Sequence, residues 1–166
     1  ALEAYDFDPD RARELLEEAG ATDSDGDGIR ELDGRPMQIQ FYTTEGQRQR
    51  ELAAQVIQNN LRDVGIDMQL NFVPGTEVLF KVGEDGILYG RRFDIALYAW
   101  VSGVDASHLL YISEQCPGPE NGYTGQNSPC YQNPEFDAAA RAALAEVNLE
   151  RKRELDAEPL TIFNQD

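Results

Sequence analysis

Met37-Gln38-Ile39-Gln40-Phe41-Tyr42, then Gln47 to Val64, then Ile66-Asp67-Met68-Gln69-Leu70-Asn71-Phe72: these three consecutive stretches decide the fold. In the first, apolar Met37, Ile39 and Phe41 alternate with Gln38, Gln40 and Tyr42, the period of a strand. In the second, Leu52, Val56, Ile57, Leu61 and Val64 recur at helical spacing, and Gly65 is placed to end the helix. The third alternates again, through Ile66, Met68, Leu70 and Phe72, up to Pro74. Thr43-Thr44-Glu45-Gly46 reads as the loop between the first strand and the helix. Strand, helix and strand joined by short turns predict a right-handed crossover between parallel strands. The fold class is therefore α/β, with a parallel or mixed sheet and helices on both faces.

Downstream, Phe93-Asp94-Ile95-Ala96-Leu97-Tyr98-Ala99-Trp100 is apolar or aromatic on both pleat faces, the habit of a strand buried on both sides. Thr76 is suited to cap a short helix through Val82, and a loose Gly-rich connection leads from it to this strand. The strand ends at the only tryptophan, followed by the small, polar loop Val101-Ser102-Gly103-Val104-Asp105. Ligands of open α/β sheets sit in the crevice at the carboxyl ends of the strands. The candidate ligand-binding residues are accordingly Thr43, Thr44, Tyr98, Trp100, Ser102, Gly103 and Asp105.

Toward the amino terminus, Asp8-Pro9-Asp10 opens a helix with a capping aspartate and proline in its first turn. Leu15, Leu16 and Ala19 give that helix an apolar face, and Gly20 ends it. Next comes Asp23-Ser24-Asp25-Gly26-Asp27-Gly28-Ile29-Arg30-Glu31, in which alternate carboxylates followed by glycine match the first half of a calcium loop. Asp23, Asp25, Asp27, the carbonyl of Ile29 and Glu31 are the candidate ligands, and a structural Ca2+ is the implied cofactor. The twelfth loop position, normally a glutamate, is Gly34, so a full EF-hand is not present. The competing reading is a solvated acidic turn leading into a hairpin at Asp33-Gly34.

Toward the carboxyl terminus, residues 101 to 132 show only a turn of helix around Ser107 to Ser113. Cys116 and Cys130 bracket a Pro/Gly-rich stretch there. They read either as a bridge that pins the loop, which implies an oxidising compartment, or as two unrelated thiols. Asn133-Pro134-Glu135 starts a helix that runs to about Val147. A last helix begins near Glu150, with Pro159 expected to kink or interrupt it.

The 166 residues carry 31 acidic and 14 basic side chains, a net charge of −17, which disfavours nucleic acid and anionic membranes as partners. No apolar run is long enough to span a bilayer, and the first residues lack the pattern of a secretion signal. Lone His108 has no serine, cysteine or acid partner at motif spacing, and no phosphate loop follows a strand. The expectation is binding without catalysis. A calcium-dependent adhesion module of dockerin type would need a second Asp-rich loop, and the sequence has none.

Asp8-Pro9-Asp10-Arg11-Ala12-Arg13-Glu14-Leu15-Leu16 with Ala19-Gly20, then Asp25-Gly26-Asp27-Gly28, resembles the oligopeptide/dipeptide/nickel class of ABC-transporter solute-binding proteins, extracellular solute-binding protein family 5. So do Leu61-Arg62-Asp63-Val64-Gly65-Ile66, Phe93-Asp94-Ile95-Ala96-Leu97 and Asn133-Pro134-Glu135-Phe136-Asp137. Each motif is weak alone, but together, in the family's order, they cover nearly the whole chain. The resemblance implies a periplasmic-binding-protein-like (type II) fold in which residues 1–166 are a single lobe, the C-terminal one, of a two-lobed protein. The ending Leu160 to Asp166 resembles the helix before the chain returns through the hinge.

The implied function is capture of an extracellular or periplasmic solute, an oligopeptide or other oligomer, by a monomeric protein that delivers it to ABC permease subunits. Membrane contact would come only through the transporter or a lipid anchor outside this chain. The alternatives are a calcium-binding extracellular interaction module and a ligand-sensing domain without transport. Peptide binders of the family resemble one another in placing an aspartate three residues after the tryptophan. Here that position is Gly103, and Asp105 is the next carboxylate, so a different oligomeric or cationic solute, such as a sugar for the former, is equally admissible.

Overall fold

The computed structural model describes residues 2, 4–101 and 108–166. The chain divides into two compact units, one made of residues 6–79 and 93–98, the other of residues 1–5, 80–92 and 99–166.

The first unit opens with α1 (Pro9–Glu18), whose amino end is closed by the Asp8 carboxylate accepting from the Arg11 amide at 2.9 Å. The expected apolar face of α1 is not a core face: none of its residues is buried, and Leu15 is half exposed. After the acidic loop, β1 (Glu31–Leu32) and β2 (Arg35–Pro36) pair antiparallel around Asp33 and Gly34. Both turn residues have positive φ, 54° and 72°, as a two-residue hairpin requires.

Then come β3 (Gln38–Thr44), α2 (Arg48–Arg62), β4 (Asp67–Val73) and β5 (Ile95–Leu97). The sheet is parallel throughout, in the order β4-β3-β5, as the crossover predicts. Phe41, Met68 and Ala54 are fully buried where α2 covers the sheet, with Ile39, Ile57, Leu61, Leu70 and Leu97 packed around them. Two readings are corrected. Thr43 and Thr44 belong to β3, not to the following loop, because both stay in register with β4. The stretch Phe93–Trp100 is not a strand buried on both sides. Among the described residues only Ile95–Leu97 pairs, at the edge of the sheet and with β3 alone, and Ile95 stays 37% exposed.

Gly65 has φ +91° and stands against Arg30, so that a Cβ there would lie 2.6 Å from the arginine's Cγ. Arg30 is the clamp of this unit. Its guanidinium donates to the carbonyls of Val64 and Ala21, at 3.0 and 2.8 Å, and pairs with Glu17 at 3.3 Å. Arg13 adds a bond to the Asp63 carbonyl at 3.0 Å. Two arginines thus satisfy carbonyls left over at the end of α2, where positive charge also suits the helix dipole.

Gly75–Leu79 forms a π turn closed by the Leu79 amide on the Pro74 carbonyl, shorter and wider than the expected helix through Val82.

In the second unit, the segment after Phe80 is tight, not loose. Ile87 and Leu88 are buried, and a Cβ on Gly86 or Gly90 would collide with neighbouring carbonyls. The Cys116–Cys130 bridge is formed, as one of the two sequence readings expects. Around it run short 3-10 turns at His108–Tyr111, Ser113–Gln115 and Pro119–Asn121. Asn127 organises this loop. It is fully buried, its amide donates to the carbonyls of Tyr111, Ile112 and Tyr131 at 2.8–3.2 Å, and its oxygen accepts from the Tyr131 amide.

α3 (Pro134–Ala145) is capped by Asn133 and α4 (Leu149–Gln165) by Asn148. α4 runs through buried Pro159 as one helix, so the proline does not interrupt it. Phe136, Ala140 and Ile112 form the core here, joined by Tyr131 and Ile162. The Asp166 carboxylate accepts from the Asn133 amide and the Tyr131 hydroxyl, and both bonds hold its pKa below the ordinary carboxylate value. Burial, and then the bond to Asp166, push the Tyr131 phenol up.

Candidate functional site

β3, β4 and β5 all run in one direction, so their carboxyl ends, Thr44, Val73 and Leu97, come level through the pairs Thr44↔Val73 and Thr43↔Leu97. The short turn after Thr44 is held by the Glu45 amide on the Val73 carbonyl, 3.0 Å, and by the Gly46 amide on the Glu51 carboxylate, 2.9 Å. α2 begins directly after it.

Thr43 is fully buried, and its hydroxyl donates to the Leu97 carbonyl at 2.6 Å. That corrects its place among the crevice residues: it fastens β5 to β3 and offers no surface to a solute. Thr44 is half-buried, and its hydroxyl oxygen accepts from the Arg50 guanidinium. Tyr98, also half-buried, follows β5 at the same end of the sheet. Thr44 and Tyr98 therefore stand at the same end of the sheet, and Arg50, which no sequence motif marked, bonds to Thr44 there.

Trp100 belongs to the other unit. It is 47% exposed, and its ring lies 6.5 Å from that of Phe80, tilted by 44°. Ser102, Gly103 and Asp105 lie outside the described residues.

The acidic loop gathers its carboxylates. One oxygen from each of Asp23, Asp25, Asp27 and Glu31 lies within 4.8 Å of the others. Backbone amides hold them in place: Asp23 accepts from Gly26 and Gly28, Asp25 from Asp27, and Asp27 from the amide of Ile29. Glu31 accepts from the amide and hydroxyl of Ser24, at 2.8 and 2.7 Å. These bonds leave oxygen lone pairs free, so the set has the hard-oxygen chemistry that suits Ca2+.

His108 faces an acid that motif spacing did not foretell. Its Nε2 lies 3.4 Å from Asp156 Oδ1, and both atoms are closed to solvent with no hydrogen-bond partner among the described residues. Shut away in this manner, the imidazole is out of reach of a solute.

Residues 1–121 match the family described as bacterial extracellular solute-binding proteins, family 5 Middle. The oligopeptide-binding protein AppA of Bacillus subtilis is 33% identical over 84% of this chain, which spans 24% of AppA's length. The nickel-binding periplasmic protein of Escherichia coli is 35% identical over 42% of the chain, which covers 13% of that protein. Among solved structures, the oligopeptide-binding protein of Thermus thermophilus in complex with a pentapeptide superposes with a TM-score of 0.83 at 26% identity. That match covers 99% of this chain and 29% of the other. The chain thus spans less than a third of the length of each.

Proposed function

This chain belongs to the bacterial extracellular solute-binding proteins of family 5, and from that membership we propose that it is one lobe of the substrate-binding component of an ABC importer. The full-length protein captures an oligopeptide or other oligomeric solute between two lobes, as a monomer, and hands it to the membrane permease. The relatives are solute-binding proteins of the periplasm or cell exterior. Among the described residues no helix is long and apolar enough to cross a membrane. One observation carries the proposal: the family match over residues 1–121 includes the whole parallel sheet and the carboxyl ends of its strands.

In this reading Thr44 and Tyr98 are solute-contacting residues of the first unit, and the sequence assigns Trp100, Ser102, Gly103 and Asp105 to solute contact as well. Thr43 supports the first two from below. The acidic loop takes a structural Ca2+ through Asp23, Asp25, Asp27, Glu31 and the carbonyl of Ile29, away from the solute.

The test is solute binding by the full-length protein. Mass spectrometry of the solute released from protein purified without added ligand identifies it, and calorimetry then measures its affinity. Trp100→Ala should weaken binding at least ~10-fold, as loss of an aromatic anchor does, while stability changes by no more than about 1–2 kcal/mol. Unchanged affinity in that variant would refute the placement of Trp100. A full-length protein that binds no oligomeric solute would refute the function.

A further inference from the structure

A glycine that follows aspartate or asparagine leaves the chain open to attack on itself. With no side chain of its own in the way, the glycine nitrogen reaches the side-chain carbonyl carbon of the residue before it and closes a five-membered succinimide. This chain has four Asp-Gly pairs, beginning at Asp25, Asp27, Asp33 and Asp85, and one Asn-Gly pair at Asn121. By sequence alone Asn121-Gly122 should react first, because an amide carbon is a better electrophile than that of an ionised carboxylate. The structure reverses that order. At four of the pairs the attacking nitrogen is already donating its proton: Gly26 and Gly28 to Asp23, at 2.7 and 3.0 Å, Gly86 to the Gly83 carbonyl at 3.1 Å, and Gly122 to the Pro119 carbonyl at 3.2 Å. The groups that would be attacked are held as well. Asp25 and Asp27 accept from the amides of Asp27 and Ile29. Lys81 bonds to Asp85 and keeps its carboxyl below the ordinary value. Asn121 is bonded at both ends of its amide, to Gly118 and Cys116.

Asp33-Gly34 has neither restraint. Among the described residues the Gly34 amide makes no hydrogen bond and the Asp33 carboxylate accepts none. Both residues are exposed, and no atom comes within 4 Å of where a Cβ on Gly34 would lie. The hairpin around them is also built to open easily: β1 and β2 have two residues each, and Pro36 has no N–H to give. We infer that Asp33 is a self-modification site, converting to isoaspartate in the folded protein ahead of the other four pairs. The Gly34 nitrogen bonds to the Asp33 carboxyl carbon as that carbon loses its hydroxyl, and the amide proton leaves with the hydroxyl as water. Water then reopens the ring. Cleavage at the side-chain carbonyl restores aspartate, and cleavage at the main-chain carbonyl leaves the chain running through the side chain. The sum is an isomerisation, with the water returned and no other reactant consumed. The product has one more carbon in its main chain and a free α-carboxylate, the group that isoaspartyl methyltransferases esterify from S-adenosylmethionine. A turn of two residues between Leu32 and Arg35 has no room for the extra carbon, so the β1–β2 pairing is lost with it. None of this depends on solute capture.

The test ages the full-length protein for several weeks, warm and at mildly acidic pH, where more of the carboxyl is protonated and able to lose its hydroxyl. Proteolytic peptides are then separated, isoaspartate is scored by methyl transfer from labelled S-adenosylmethionine, and electron-transfer fragmentation locates it. Isoaspartate at position 33 should exceed that at each of the other Asp-Gly pairs by ~10-fold or more, the order expected when a bonded amide must first be freed. Asp33→Asn gives the sharper comparison, since asparagine also suits this turn and the chain then holds two Asn-Gly pairs. Position 33 should then lose ammonia at least ~10-fold faster than Asn121. In urea with the bridge reduced, the two rates should converge. Asp33→Glu, whose longer side chain closes a six-membered ring slowly, should abolish the product at position 33. Circular dichroism confirms that each variant is folded before it is aged. No isoaspartate at position 33, or isoaspartate spread evenly over the Asp-Gly pairs, overturns the inference. So does faster loss of ammonia from Asn121 in folded Asp33→Asn. A rate difference that persists in urea overturns it too, because sequence and not structure would then set the order.

Discussion

Replacing Asn127 by aspartate, a change of one atom, should cost as much stability as truncating it to alanine. The wild-type side chain makes four hydrogen bonds, three as donor to carbonyls and one as acceptor from the Tyr131 amide. At about 1 kcal/mol net for each bond, alanine loses about 4 kcal/mol, with Ile112 and Tyr131 backbone groups left unsatisfied. The carboxylate keeps the bond from the Tyr131 amide. It puts its second oxygen against the carbonyls of Tyr111, Ile112 and Tyr131, where the amide nitrogen stood at 2.8–3.2 Å. Three attractions become three repulsions around a buried charge, so the loss should be at least that of Asn127→Ala.

The sign of the pH dependence follows. Burial among carbonyls raises the pKa of the new carboxyl in the folded state, so the folded state holds more protons than the unfolded one. Asn127→Asp should then regain stability relative to wild type as the pH falls from about 7 to about 5, while Asn127→Ala shows no such recovery. Urea unfolding followed by tyrosine and tryptophan fluorescence, with the disulfide intact, measures both. Asn127→Asp within about 1 kcal/mol of wild type at pH 7 would show that the loop is not organised by this amide.

Gly65→Ala should destabilise by about 1–3 kcal/mol, because φ is +91° and the added methyl meets Arg30; a melting temperature equal to wild type would contradict this. Thiol labelling of unfolded, unreduced protein should find no free cysteine, and reduction should lower stability by about 3 kcal/mol for a bridge across 14 residues. If the acidic loop holds Ca2+, adding the ion to chelator-treated protein raises the melting temperature, and Asp25→Asn lowers the response; no shift at millimolar Ca2+ rules the site out. The depressed Asp166 pKa contributes stability above its unfolded pKa and loses it as the pH falls through the folded value, so Asp166→Asn should flatten the acid limb of the stability curve.

Local chemistry explains which parts of the fold were legible from the sequence. Asp8 with Pro9, and Asn133 with Pro134, mark helix starts because cap and first turn lie within a few residues of each other. The alternation through Ile39, Phe41 and Met68 places β3 and β4 because these side chains do face the core. The same rule misled at Phe93–Trp100. Its apolar run meets a single neighbouring strand, and Ile95 and Trp100 remain open. Leu52 and Val56 likewise fit the helical period of α2 yet are exposed, 43% and 59%. The site was legible in part. Thr44 and Tyr98 could be placed near strand ends, but the contacts of Arg50 and Asn127 depend on partners placed by the fold, and no periodicity announces a polar contact. His108 and Asp156 are a further case, 48 residues apart in the chain and 3.4 Å apart in space.

The interleaving of the two units constrains how the chain can be assembled. During synthesis β3, α2 and β4 emerge as one continuous piece and can pair at once, since their contacts are local. The strand that completes their sheet arrives only after residues 80–92, which belong to the other unit, and after Leu97 the chain returns to that unit. The edge of β3 that takes β5 therefore stays uncovered while the intervening segment is made, a window in which exposed strand edges invite misassembly. Neither unit can be cut out as a single stretch of sequence. A nick between Phe80 and Arg92 leaves the connection to β5 running through the other unit, so proteolysis there should release no independently folded product.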